Sequence, residues 1–150
     1  MAEFSATEWI AASPEEVFAF IGDVNHFAEV MSNVVRSAQI TAGPVGLGTR
    51  FRETRLIQGR EATAEIEVTG YEPPRRYAAT SVANGITVTY HYTFTPEKAG
   101  TRVTLHAEAT AGGLKKLVLP LVISFMKRED GDHLQQLKAA VERHTAVPVY

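Results

Sequence analysis

Residues 75–110, RRYAATSVANGITVTYHYTFTPEKAGTRVTLHAEAT, hold three runs rich in Thr, Val, Tyr and Ala, separated by an Asn-Gly pair and a PEKAG loop. Such runs are strands, because side chains of an extended chain alternate between two faces, and β-branched and aromatic residues suit a pleated, half-buried surface. Asn84-Gly85 is a two-residue hairpin turn, the strongest short-range signal of its kind. It sets Ala83 opposite Ile86, Ser81 opposite Val88, Ala79 opposite Tyr90 and Tyr77 opposite Tyr92. A four-residue loop at 97–100 sets Phe94 against Val103, Tyr92 against Leu105 and Tyr90 against Ala107. Directly opposed residues share a face, so these strands have one apolar face and one face of Thr, His, Arg and Glu.

Upstream, VVRSAQIT (34–41), GTRFRETRLIQ (48–58) and REATAEIEVTGY (60–71) read as three further strands. A four-residue loop at 72–75 sets Val68 against Ala79 and Ile66 against Ser81. A two-residue turn near Gly59 then puts Ala62, Ala64 and Ile66 on the face of Phe51, Glu53, Arg55 and Ile57. All four hairpins agree on one dry face. The solvated face carries Arg52, Thr54, Glu65, Glu67, Thr89, His91, Thr104, His106 and Glu108, with Arg52 placed to pair with Glu65 or Glu67. Glu53 and Arg55 stand out as an acid and a base on the dry side, and a one-residue bulge in their strand would turn them outward.

Before the meander, FSATEWIAA (4–12) is a first strand. Ser13, Pro14 and Glu16 then form a capping box with proline at the first helical position. Gly22 ends that helix, and Asp23 can cap a second short one over 24–31. After Gly112-Gly113 the pattern is helical to about residue 143, with Leu134, Leu137 and Val141 on one stripe and with Pro120 and Gly131 expected to bend or break it. The expected order is β-α-α-β6-α: one α+β domain over 1–150, a seven-stranded antiparallel sheet wrapped around a long C-terminal helix.

With 150 residues, 45% apolar and 21% charged, the composition is that of one ordinary globular domain. A net charge of −2 supplies no basic field for nucleic acid. Cysteine is absent, so disulfides, thiolate metal sites and cysteine nucleophiles are excluded. No basic-then-apolar leader opens the sequence, and the longest apolar run, 117–126, is half a bilayer span. These features predict a soluble, cytoplasmic chain without stable membrane insertion.

The segments ASPEEVFAFIGDVNHFAEVM, GLGTRFRE, VTGYEPPRRYAATS, YHYTFTPEKAGTRVTLHAE and LQQLKAAVE occur in an order that resembles the helix-grip superfamily of START-like and birch-pollen-allergen-like domains. The likeness is greatest to its polyketide cyclase/dehydrase-like branch. The resemblance implies a hydrophobic tunnel between sheet and long helix. It implies a lipid-, polyketide- or quinone-like ligand, or an aromatase/cyclase or dehydratase activity, and no universal catalytic residue.

On this frame the candidate ligand-binding residues are Phe51, Ala64, Ile66, Tyr77, Ala79, Ser81, Val88, Tyr90, Tyr92 and Leu105 from the sheet, with Leu117, Leu121 and Phe125 from the C-terminal segment. Alanines opposite aromatics leave room, and concave apolar cavities with few polar groups are the usual small-molecule sites. The candidate catalytic pair is Glu53 with Arg55: the carboxyl as general acid or base, the guanidinium holding an enolate or carboxylate. The same pair also reads as a mutually satisfied structural ion pair. His91 and His106 fall opposite each other on the outer face near Glu108 and could bind a metal, but their spacing matches no metal motif and a surface pair is the simpler reading. His133 reads as a solvated helix position near the apolar stripe, with the cavity as the alternative. His26 says nothing by itself. Gly112 to Asp130 reads as a gate, with a glycine hinge and a proline kink. No metal or organic cofactor is expected, and the chain is expected as a monomer or homodimer. The leading reading is binding of a small hydrophobic or aromatic molecule. A polyketide cyclase or dehydratase is the alternative, and a protein-interaction or chaperone-associated module is a third.

Overall fold

The computed structural model describes residues 2–23, 26, 34–130 and 132–145, without the side chains of 129, 130 and 145. Its elements are β1 (Ala2–Ile10), α1 (Pro14–Ile21), β2 (Val34–Gln39), β3 (Arg50–Ile57), β4 (Arg60–Glu72), β5 (Arg76–Ala83), β6 (Ile86–Glu97) and β7 (Gly100–Ala111). A 3-10 helix (Gly113–Val118) then leads into α2 (Leu119–Asp130) and α3 (His133–Thr145). The seven strands form one sheet in the order β1-β7-β6-β5-β4-β3-β2, every pair antiparallel. This is the expected helix-grip architecture. β1 begins two residues earlier than its pattern suggests, and the second short helix expected over 24–31 lies, His26 apart, outside the described residues.

The turns set the register as their residues require. Asn84-Gly85 and Gln58-Gly59 take positive φ at both positions, and Tyr77 lies opposite Tyr92, Phe51 opposite Ile66 and Glu53 opposite Ala64. Between β6 and β7 the expected pairs hold, but the ladder runs on to Glu97 and Gly100 and closes on the two-residue turn Lys98-Ala99, both at positive φ.

Between β4 and β5 two departures cancel. The loop has three residues rather than four, because Glu72 pairs with Arg76, and a bulge between Val68 and Gly70 restores the expected Val68–Ala79 pair. Beyond the bulge the parity of β4 reverses, so Tyr71 turns inward to lie opposite Tyr77. Gly70 suits the bulge, since a Cβ there would lie 2.9 Å from the Ala78 Cβ. A second bulge falls in β2 at Val35 rather than in β3, so the parity of Glu53 and Arg55 is kept. On the solvated face it is Arg50 that meets Glu67, at 3.3 Å.

α1 starts on its capping box, with the Glu16 N–H donating to Ser13 Oγ at 3.2 Å and the Ser13 N–H to Glu16 Oε1 at 3.1 Å. It buries Val17, Phe18, Phe20 and Ile21 and packs on β6 and β7. In place of the expected long helix there are two, α2 ending at Asp130 and α3 starting at His133. Pro120 is tolerated as the second residue of α2, where its fixed φ suits the first helical turn. α2 and α3 pack on β1, and α2 also on β7, while α3 buries Leu134, Leu137, Ala140 and Val141 as its stripe predicts. Trp9 and Glu142 tie α3 to the end of β1. Lys138 Nζ donates to the Trp9 carbonyl at 2.7 Å and to Glu142 Oε2 at 2.9 Å, and the Ala11 N–H donates to that same carboxylate at 2.9 Å. No helix among the described residues is long and apolar enough to cross a membrane.

Candidate functional site

The dry face of the sheet begins at β3 with Phe51, fully buried, followed at period two by Glu53 and Arg55. Glu53 is only 4% exposed, and its carboxylate accepts from Arg55 Nε in a close ion pair. Burying that carboxylate is tolerable because the guanidinium neutralises it and donates to it. Ser37, directly opposite Glu53 on β2, has a buried Oγ with no hydrogen-bond partner among the described residues.

Toward the middle of the sheet, Phe18 of α1 meets Tyr71, Tyr77 and Phe94 edge-on, with ring centroids 5.2–6.1 Å apart. Tyr77 is 3% exposed, and its hydroxyl also lacks a hydrogen-bond partner among the described residues. Burial first, and the neighbouring Tyr71 second, push its pKa well above the usual phenol range. At neutral pH it is therefore an O–H donor. Next to it, Tyr92 Oη lies 2.7 Å from Nε2 of His133, and both side chains are buried. His133 is thus an inward residue rather than a solvated one. The break after α2 makes it the first residue of α3 and sets it one residue ahead of the buried Leu134.

The other expected lining residues divide. Leu105 is fully buried, and Ile66, Ala79, Ser81, Val88, Tyr90 and Phe125 are half-buried, with Tyr90 edge-on to Phe4 at 6.4 Å. Ala64 has the inward parity but is exposed, because α2 and α3 lie over the β1 side of the sheet, away from β4. Leu117 and Leu121, expected to reach the cavity, are 77% and 72% exposed. α2 turns Leu119, Val122, Ile123 and Met126 toward the sheet instead, and at 100° per residue Leu121 falls opposite Leu119. Tyr71 is the site residue that the pattern missed, and His133 takes the inward position that was its less favoured alternative. Gly70 inside a strand was the available signal for the bulge that turns Tyr71 inward.

Elsewhere, His26 stacks on Phe20 at 3.9 Å. A shallow depression of about 640 Å³ lies between the start of α1 and the β6–β7 turn. Its Ser13 and Glu16 already spend their hydrogen bonds on the helix cap, so the dry-face groups form the better candidate site.

The family described as polyketide cyclase / dehydrase and lipid transport matches residues 1–142. No curated protein matches. Among solved structures, TTHA0849 from Thermus thermophilus is 21% identical, with a TM-score of 0.78 over 97% of this chain and 100% of that one. One domain of the di-domain ARO/CYC BexL from the BE-7585A biosynthetic pathway superposes with a TM-score of 0.81, at 17% identity over 98% of this chain and 48% of that one. Ara h 8.0201 matches at 11% identity, with a TM-score of 0.73 over 93% of this chain and 97% of that one. At such identities the likeness to these structures is one of fold. With the family match running over nearly the whole length and the sheet and helices arranged as described, the chain belongs to the polyketide cyclase/dehydrase and lipid transport family, within the helix-grip superfamily.

Proposed function

We propose that the chain binds a small hydrophobic or aromatic molecule against the dry face of its sheet, beneath the C-terminal helices. The observation that carries this reading is the Tyr77 hydroxyl, a protonated donor buried among aromatic rings with no partner among the described residues. Buried polar groups are nearly always hydrogen-bonded, so a donor with no acceptor among the described residues is suited to receive a ligand oxygen. Ser37 Oγ and the Glu53–Arg55 pair add polar groups on the same face, and such a few polar groups in an apolar setting orient a ligand. Native mass spectrometry of the purified chain, with titration by 1-anilinonaphthalene-8-sulfonate, tests it. A co-purifying small molecule or saturable dye uptake at one site supports binding. Absence of both refutes it.

A second reading is a cyclase or dehydratase, favoured by the buried Tyr92–His133 couple, whose 2.7 Å contact joins a phenol to an imidazole. There Glu53 serves as acid or base, and Arg55 stabilises an enolate. Under that reading Glu53→Gln abolishes turnover and leaves ligand affinity near wild type. Equal loss of both makes Glu53 a binding residue.

A further inference from the structure

The face of the sheet turned away from this site carries a second group of chemically active side chains. His91 of β6 and His106 of β7 are direct cross-strand partners, as are Glu3 of β1 and Glu108 of β7. Glu3, His106 and Glu108 offer ligating atoms that all lie within 4.8 Å of one another. His106 Nε2 is 3.2 Å from Glu3 Oε2 and 4.0 Å from Glu108 Oε2, while His91 Nε2 is 3.1 Å from Glu108 Oε1.

The geometry points to a site for a first-row divalent cation, zinc foremost, with Glu3, His106 and Glu108 as ligands and His91 orienting the Glu108 carboxylate. Zinc bonds of roughly 2.0–2.2 Å in a tetrahedron put neighbouring ligand atoms about 3.4 Å apart. The two distances from His106 Nε2 to the carboxylates, 3.2 and 4.0 Å, bracket that spacing. These side chains are partly exposed, so small rotations close the difference.

Two features beyond proximity favour a cation. Glu3 and Glu108 are carboxylates placed directly opposite each other on adjacent strands, an arrangement that is destabilising unless positive charge lies between them. A bound dication supplies that charge. Ser5 Oγ lies 3.0 Å from His106 Nδ1. When Nδ1–H donates to that hydroxyl, the Nε2 lone pair faces the carboxylates. Hydrogen bonds to the far nitrogen of a ligating histidine and to a ligating carboxylate are the usual outer support of a metal site. Ser5 and His91 occupy those two positions. An imidazole among the donors selects zinc and its neighbours over magnesium or calcium. Three protein ligands leave a fourth position for water or an exogenous group.

The test is isothermal titration of untagged, chelator-treated protein with zinc chloride, repeated on His106→Ala, Glu3→Gln and His91→Ala. One saturable equivalent is expected for the wild type. His106→Ala should remove it and Glu3→Gln should weaken it at least tenfold. His91→Ala should weaken it by about ten- to a hundredfold, as loss of an outer partner does. Cobalt(II) should give a d–d absorption band that disappears in His106→Ala. All four side chains are at the surface, so an unchanged far-ultraviolet circular dichroism spectrum certifies each variant's fold. Absence of saturable zinc uptake by the wild type, or wild-type affinity in His106→Ala or Glu3→Gln, overturns the proposal.

Discussion

Replacing Tyr77 by Phe deletes one oxygen from the core and leaves the ring that packs against Phe18, Tyr71 and Tyr92. The deleted hydroxyl is buried and has no hydrogen-bond partner among the described residues. An unsatisfied buried donor costs about 1–3 kcal/mol in desolvation, and its removal restores part of that. A gain of about 1 kcal/mol raises the thermal midpoint of a chain of this size by roughly 2–4 °C. If the hydroxyl serves a ligand oxygen, the same change removes a hydrogen bond worth about 0.5–1.5 kcal/mol, which is two- to tenfold in affinity. Tyr77→Phe should therefore be more stable than wild type without ligand and bind less tightly. Differential scanning calorimetry of ligand-stripped protein measures the first, and retention of the co-purifying ligand or displacement of the anilinonaphthalene dye measures the second. A lower midpoint in the stripped variant would show that the hydroxyl is satisfied within the protein. That would remove the main support for a ligand acceptor at this position.

Ala99→Gly should stabilise the chain by about 0.5–1 kcal/mol, read from urea midpoints, because Ala99 sits at φ +61° where a Cβ is strained and glycine is not. Gly100→Ala should cost at least about 2 kcal/mol in the same assay, since a Cβ there would press on the Ile10 carbonyl oxygen and the Trp9 ring, and backbone cannot step aside. Glu142→Gln should cost about 1 kcal/mol at pH 7, allowing for solvent screening. The Lys138 hydrogen bond first, and the Ala11 N–H second, hold the Glu142 carboxyl below its usual pKa of 4.5. Its stabilisation is thus complete above that value and is lost as the pH falls through the lower folded-state pKa. The gap in stability between wild type and Glu142→Gln should close on acidification, and a gap that widens would contradict the assignment.

The inward placement of Glu53 and Arg55 was legible because side-chain parity is inherited through each two-residue turn, and Gln58-Gly59 and Asn84-Gly85 announce themselves. The β4–β5 loop shows the limit of that inheritance. The loop is one residue shorter than its composition suggests, and the inner-face pairs survive because the bulge at 69 makes up the difference. Tyr71 lies between these two departures and is lost to them. The C-terminal segment was less legible, because a 3-10 helix shifts the phase of the helix that follows it. That shift is why Leu121 points away from the sheet and Leu119 and Met126 point toward it, while Leu117 lies in the 3-10 helix itself, which buries none of its residues.

Period-two alternation, turn residues and the Ser13 capping box are local properties. The element order, the two faces of the sheet and the family could therefore be read from the chain of residues without coordinates. Which polar groups meet depends on partners far apart in the chain. Tyr92 and His133 come from β6 and α3, and Glu3 and Glu108 from opposite ends of the strand series, brought together when β1 pairs beside β7. No local pattern encodes those meetings, because they follow from how the sheet closes on its first strand and how the last helix lies across it. The register of β6 and β7 already sets His91, His106 and Glu108 together, but the buried tyrosine–histidine couple and the joining of Glu3 to the outer cluster come into being only in the folded chain.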